Sequence, residues 1–394
     1  MLPMSVRSVL LSVVVACFGC VPQASASGFT GWVPAGALSV PRGEATAARL
    51  ADGRALVVGG QSIIGDNQST ATAELYDPAT NAWTAVAPMT VPRLYAGAVT
   101  LRDGRVLVVG DSTIATDNAA TTAELYDPRT NVWTPTGPLT TPRTRPGLAL
   151  LADGRALVAG IGGRLSDSVG APGAEIYDPA TNRWTATGAM TTARQNPAVA
   201  ALPDGRVLAA GGANAGSLAS AEVYDPNADA WTAVAAMGTP RLQAGVSTLR
   251  DGRVLVSGGE QYHDPVAIDD GTLSSAEIFD ASTGTWASAA PMVNRRGASA
   301  VMATLVDGRP VFVGGAWWRV QRLDPNGGFS SSGYLEPAAD VYDPALGTWT
   351  ETPSTIQRRD RHVAVPLLDG SLLVAGGTRD GQAERLMPVP TPPP

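Results

Sequence analysis

The chain has 394 residues, is 44 % hydrophobic and carries a formal net charge of −7. An acidic balance of this size argues against nucleic acid and anionic membrane surfaces as partners, because like charge repels the polyanion. Length alone suggests two or three domains, so an internal period is the first thing to look for.

In chain order, the N-terminus has the three-part form of an export signal. Arg7 is followed by an apolar run from Val9 to Ala16 and then by small residues, and the run is too short to span a bilayer. Two processing readings stay open over residues 1–26. Ala24-Ser25-Ala26 fits a cleavage site that releases a soluble protein, whereas Val14-Val15-Ala16-Cys17 fits a lipoprotein box that anchors the chain through Cys17. Both cysteines, Cys17 and Cys20, fall in this segment, so residues 27–387 are expected to hold no thiol, disulfide or Cys metal ligand. All 28 basic residues are arginine, which codon bias explains without any functional cause.

From Thr30 onward one pattern repeats about every fifty residues. Its fullest copy runs from Tyr95 to Trp133: an apolar run (Ala96 to Leu101), Asp103-Gly104, a second apolar run (Val106 to Val109), a variable loop, then Ala123-Glu124-Leu125-Tyr126-Asp127-Pro128 and Trp133. Asp-Gly between two apolar runs predicts a two-residue hairpin turn, and Tyr-Asp-Pro before Trp predicts a second turn. Each copy therefore reads as four short antiparallel strands. Second strands such as Ala55-Leu56-Val57-Val58 do not alternate, which predicts burial on both faces. A Gly-Gly pair often follows, as at Gly59-Gly60, and is expected to make room for the outer-strand Trp.

The Asp-Gly turn occurs at Asp52, Asp103, Asp153, Asp204, Asp251, Asp307 and Asp369. The tryptophans Trp32, Trp83, Trp133, Trp184, Trp231, Trp286 and Trp349 form a series shifted by one strand, since Trp32 precedes the first turn and none follows the last. Pro-Arg, the double Gly, Tyr-Asp-Pro and Trp in this order resemble the Kelch repeat. The resemblance implies an all-β, seven-bladed propeller over residues 27–387, with the strand around Trp32 closing the blade that holds Ala383 to Leu386. Residues 388–394 read as a Pro-rich extended tail. One propeller then accounts for the length, and a monomer is expected.

Function is expected on the face bearing the blade-to-blade links and the long loops, because the turns of the other face are uniform. The longest loop, Ala316 to Ala338, carries Trp317 and Trp318, which either pack down or meet a ligand. Arg42, Arg93, Arg143, Arg194, Arg241 and Arg359 recur ten residues before each turn Asp, with Arg295 and Arg296 in the sixth copy. Repetition favours a structural role for them. In some eukaryotic Kelch domains arginines near this point grip acidic peptides, so the resemblance implies a carboxylate-seeking mouth using Arg143, Arg145, Arg359 and Arg361. Two residues past each arginine stand Glu44, Tyr95, Arg145, Asn196, Gln243 and Arg361, which differ from copy to copy and are expected to line the channel mouth.

The leading expectation is a non-catalytic exported binding module for a protein or glycan, an acidic ligand being one candidate. The alternatives are an enzyme acting on a carboxylated sugar, similar to sialic-acid epimerases and using His362 and Asp360 as acid–base groups, or a purely structural surface module. Galactose oxidases share this propeller and hold copper with two Tyr and two His, one Tyr crosslinked to Cys. The only histidines here are His263 and His362, which disfavours that chemistry. No cofactor and no metal is expected.

Overall fold

A computed structural model describes residues 28–64, 68–110, 121–161, 173–261, 271–297, 299–322 and 329–390, the side chains of 316–322 and 329–333 excepted. The expected signal over residues 1–26, with Cys17, lies outside the described residues. The strands form seven four-stranded antiparallel sheets arranged as the blades of a ring, together with two short two-stranded ribbons. Blade one shows the plan: Thr46–Arg49 innermost, then Ala55–Val58, Ala73–Asp77 and Ala82–Val86 outermost.

The unalternating second strand has a simple cause. In blade one, Ala55 and Val57 join Tyr76 in a cluster with Val363, Val365 and Leu373 of blade seven, whereas Leu56 and Val58 pack with Val106, Val108 and Tyr126 of blade two. Period-two geometry sends successive side chains to opposite neighbours, so a strand held between two sheets must be apolar throughout. Each outer Trp lies over the aromatic residue of the third strand in six blades, with ring centroids 5.0–5.2 Å apart. Its Nε1–H donates to the link leaving the preceding blade, as from Trp83 to the Ala35 carbonyl at 2.7 Å and from Trp133 to the Ala87 carbonyl at 2.7 Å.

Two local expectations change. The Asp-Gly loop has three residues, not two: Leu50 and Arg54 close it by a 2.8 Å hydrogen bond around Ala51, Asp52 and Gly53. Asp52 Oδ1 accepts the Arg54 N–H at 3.0 Å, and of the three only Gly53 takes a positive φ, 92°. The double glycine makes no space for Trp. A Cβ on Gly59 would lie 2.6 Å from the Arg93 carbonyl oxygen of blade two, and Gly60 N–H donates to that same oxygen at 2.7 Å. The pair lets one blade grip the link of the next.

The ring closes as the tryptophan phase predicts. Phe29–Ala37 pairs antiparallel with Gln382–Pro388, setting Trp32 opposite Leu386, and Trp32 Nε1–H donates to the Pro353 carbonyl at 2.8 Å. Blade seven departs from the others in one respect. Elsewhere the turn Asp is met by the arginine two residues on, and Arg105 and Arg206 also reach the carbonyls of Pro179 and Ala281 in the next blade. Blade seven has Ser371 at that place. Arg385 of its third strand takes over, pairing with Asp369 and donating to the Pro78 carbonyl of blade one at 3.2 Å.

The repeated arginines are structural. Arg42, Arg93, Arg143, Arg194, Arg241, Arg296 and Arg359 are all buried, each bonded to a carboxylate on the third strand of its own blade. Glu74, Glu124, Glu175, Glu222, Glu277 and Asp340 receive the first six at 2.7–3.0 Å, and Glu384 receives Arg359. Arg143 shows the rest of the network: its Nη1 donates to the carbonyls of Gly160 at 2.8 Å and Gly173 at 2.9 Å, while Glu175 accepts the backbone N–H groups of Thr140 and Thr141. One ion pair thus ties the incoming link to the second and third strands. Burial pushes the Arg143 pKa below the usual guanidinium range, and the facing Glu175 opposes that shift.

Cutting one partner leaves the other charge buried and uncompensated, which costs about 3–5 kcal/mol. Glu175→Ala should therefore lower the urea midpoint far more than Asp178→Ala, a half-exposed carboxylate in the same blade. Equal, small shifts in a denaturation series would count against the structural role of the pair.

Candidate functional site

Past each buried arginine the chain passes over the end of the central channel. There Glu44, Tyr95, Arg145, Asn196, Gln243, Ser299 and Arg361 occupy one position in the seven blades, and all seven have positive φ, between 49° and 70°. For residues other than glycine this conformation is uncommon and costs on the order of 1 kcal/mol or more each. Neighbouring members are joined through the backbone: Glu44 N–H donates to the Arg361 carbonyl at 2.8 Å, Tyr95 to Glu44 at 3.3 Å, Arg145 to Tyr95 at 3.1 Å and Gln243 to Asn196 at 3.4 Å. The ring lines a cavity of about 270 Å³.

The mouth is electrostatically lopsided. Arg145 lies over the Tyr95 ring, 3.8 Å from its centroid, and reaches past it to Glu44 Oε1 at 3.3 Å. Arg361 approaches the same oxygen from the other side at 3.6 Å, and also Asp360 at 3.6 Å. Glu44 is largely covered, with 11 % of its side chain exposed, whereas Arg145 and Arg361 keep 28 % and 54 %. Blades seven, one, two and three therefore form a charged arc with an aromatic platform. Blades four, five and six complete the circle with Asn196, Gln243 and Ser299, which offer amide and hydroxyl groups only.

Six of the residues expected at the mouth are there: Glu44, Tyr95, Arg145, Asn196, Gln243 and Arg361. Arg143 and Arg359, expected beside them, do not reach it. Their side chains run across their own blades to Glu175 and Glu384, because a guanidinium with a buried carboxylate and carbonyls in reach has no reason to face solvent. Ser299 was missed, since blade six carries an insertion and its buried arginine is Arg296, not Arg295. The sequence signal for it is weak, a small polar residue just before the apolar strand Val301–Thr304.

Asp360 and His362 do not form an acid–base pair. Asp360 meets Arg361, while His362 is only 4 % exposed, and burial, reinforced by the nearby Arg359, lowers its pKa to about 3. The long loop of blade six contains an unforeseen ribbon, Ala316–Arg322 paired with Phe329–Leu335, in which Trp317 stands opposite Tyr334 and Trp318 opposite Gly333. The side chains of Trp317 and Trp318 lie outside the described residues. His263 lies outside them as well. Among the described residues no group of three or more His, Cys, Asp or Glu is placed to hold a metal ion.

Comparison with known proteins agrees with this architecture. The Kelch motif model matches residues 46–90 and 196–238, which span most of blades one and four. A solved structure, a fungal alcohol oxidase of the AA5 family in complex with copper, is similar with a TM-score of 0.69 at 20 % identity, over 91 % of this chain and 76 % of the oxidase chain. At that identity the likeness concerns the fold. None of the curated proteins matches the sequence. Two Kelch motif matches and seven blades of four antiparallel strands show a seven-bladed β-propeller that matches the Kelch type.

Proposed function

We propose that the chain is a protein-interaction module that receives part of its partner at the channel mouth. The observation that carries this reading is the ring of seven left-handed residues. The buried arginines and the outer tryptophans keep their residue type in all seven copies. At the mouth the backbone is held in one costly conformation while the side chain changes in nearly every blade. Backbone strain maintained under varied polar side chains is the mark of a recognition surface on a rigid frame. Tyr95 with Arg145 stacked on it supplies the aromatic and guanidinium groups that dominate protein interfaces. The enzymatic alternative on a carboxylated sugar rests on Asp360 and His362; His362 borders the mouth but is buried with its pKa lowered to about 3, and Asp360 is engaged by Arg361.

We also place the protein outside the cytoplasm, on the strength of Arg7 and the apolar run Val9 to Ala16. Mass determination of the mature N-terminus distinguishes the two forms: a start at Ser27 indicates a released protein, and a lipid-modified Cys17 an anchored one. An intact Met1 in the mature protein counts against export.

The mouth reading is tested by replacing Tyr95, Arg145 and Arg361 together with Asn, which removes their reach yet tolerates positive φ. Capture of partners from native extracellular fractions, quantified by mass spectrometry, should fall by on the order of tenfold or more. Arg129→Ala on the uniform turn face should leave capture unchanged. Loss of partners only with the turn-face variant would contradict the proposal.

Glu44 adds a pH signature. Burial raises its carboxyl above the usual range, against the opposing pull of Arg145 and Arg361. A carboxyl whose pKa is raised by folding stabilises the fold fully below its unfolded value, about 4.3, and loses that contribution as pH rises through the folded value. Glu44→Gln removes this loss. The melting temperature of the Gln variant should therefore gain on that of the native protein as pH rises from about 4 toward 7. A gap that is constant with pH would mean the carboxyl is not perturbed.

A further inference from the structure

The seam between blades six and seven is packed unlike the others. Three residues past the buried arginine the chain has Ala45, Ala96, Pro146, Pro197 and Ala244 in blades one to five, and Ala300 follows the insertion in blade six. Blade seven has His362 there. Its ring crosses the seam to the double glycine of blade six, where a Cβ on Gly314 would lie 2.4 Å from Cε1 and 3.1 Å from Nε2. In three other seams that place holds the methyl of Met89, Met237 or Met292, which a Cβ on Gly59, Gly211 or Gly258 would meet at 3.1–3.4 Å. Those methionines stand four residues before the buried arginine of the next blade, and the link into blade seven has Thr355 instead. A large apolar side chain from the link has thus been exchanged for a polar ring from beyond the arginine.

The ring is poorly provided for in this place. Only 4 % of His362 is exposed, and neither Nδ1 nor Nε2 has a hydrogen-bond partner among the described residues. The charged groups around it are already matched with one another. Arg359 of its own blade holds Glu384, and Arg296 across the seam holds Asp340. Asp360 and Arg361, its neighbours in the chain, pair with each other, and Arg361 also approaches Glu44 at the mouth. Gly377 packs against the His362 Cβ, and in the segment that follows Asp380 accepts from Gln357 Nε2, while Arg379 borders a hollow shared with Asp360 and Arg361. None of these carboxylates is left to neutralise a charged imidazole. Burial is the main obstacle to its protonation and the two guanidiniums add to it, while the Val313 backbone, short of a hydrogen bond, opposes them.

We propose that this seam is an acid-sensitive gate in the ring: blades six and seven stay closed while the His362 imidazole is neutral, and mild acid parts them beside Ser299 and Arg361 at the mouth. The proposal concerns the ring itself and stands whatever the mouth receives. Its direction follows from where the proton is accepted. With the seam closed the imidazole stays neutral down to about pH 3, and with the seam open it titrates near its ordinary value of 6.5. The open form binds more protons between those values, so closure is fully kept above the window and loses ground as pH falls through it. Opening should rise about thirtyfold between pH 7.5 and 5. Seams with alanine or proline at this position have no such group.

The test is amide hydrogen exchange of the whole protein at pH 7.5 and 5, read by mass spectrometry and divided at each pH by the rate of the unfolded chain. Protection of Val301–Thr304 in blade six and Val363–Pro366 in blade seven should fall on going to pH 5 by at least tenfold more than that of Gly147–Leu150 in blade three. The double variant Thr355→Met/His362→Ala restores the pairing used at the seams of Met89, Met237 and Met292, and should lose the extra acid response while staying folded. His362→Phe keeps a ring in the seam without a titrating group, and should lose the response too. Glu44 is present in all three proteins, so its own titration, which runs the opposite way, cancels in the comparison. An equal loss of protection in all three strands of the native protein overturns the gate. An extra loss at blades six and seven that persists in either folded variant also overturns it, since the sensor would then be another group.

Discussion

The fold depends on a buried ion pair repeated in every blade. An arginine removed from water is costly, and its carboxylate partner only partly offsets that cost. The site is tolerated because much of the remaining hydrogen-bonding capacity is used: Arg93 also serves the carbonyls of Gly110 and Thr122, and Glu124 also holds the Thr90 and Val91 N–H groups. Links without regular structure are thereby given fixed partners inside the protein. The neighbouring double glycine completes the arrangement by accepting the backbone of the following link at a distance no side chain would allow. Hydrophobic contact holds blade to blade, but the ion pairs set where the chain crosses from one blade to the next.

That crossing creates the mouth. Two residues beyond most of the arginines, and three in blade six, the chain turns sharply down the innermost strand, and the turn is made by a left-handed residue that is never glycine. A glycine would relieve the strain and present nothing. Because the pair anchors the link on one side and the strand anchors it on the other, the intervening position can change its side chain freely. Structural uniformity and chemical diversity therefore sit two or three residues apart.

Much of this was legible in the sequence, and the remainder was not for identifiable reasons. The period, the strand count and the closure through Trp32 follow from residues whose local meaning is strong, Asp-Gly turns and a tryptophan series out of phase by one strand. The six variable mouth residues were found by their distance from a repeated arginine. The direction of that arginine was not, because its partner lies 25 to 44 residues on and nothing local says whether a guanidinium points to the axis or across the sheet. Ser299 was hidden by an insertion. The role assigned to the double glycine failed because sequence shows that space is needed without showing what fills it. The ribbon in blade six escaped notice because its polar strand, Ser330-Ser331-Ser332, has no alternation to read.

Arg385 and Leu386 have a consequence for assembly. A ring made of near-identical copies has no intrinsic means of knowing when it is complete, and a vacant last edge invites an extra copy or a strand from another molecule. Here the terminal copy is marked. Where six blades present an aromatic ring and a turn arginine, the seventh presents Leu386 and Arg385, and it accepts Phe29–Ala37 while clasping Pro78. The departure from the repeat falls at the point of closure, so that Trp32 meets Leu386 where the other outer tryptophans meet an aromatic residue.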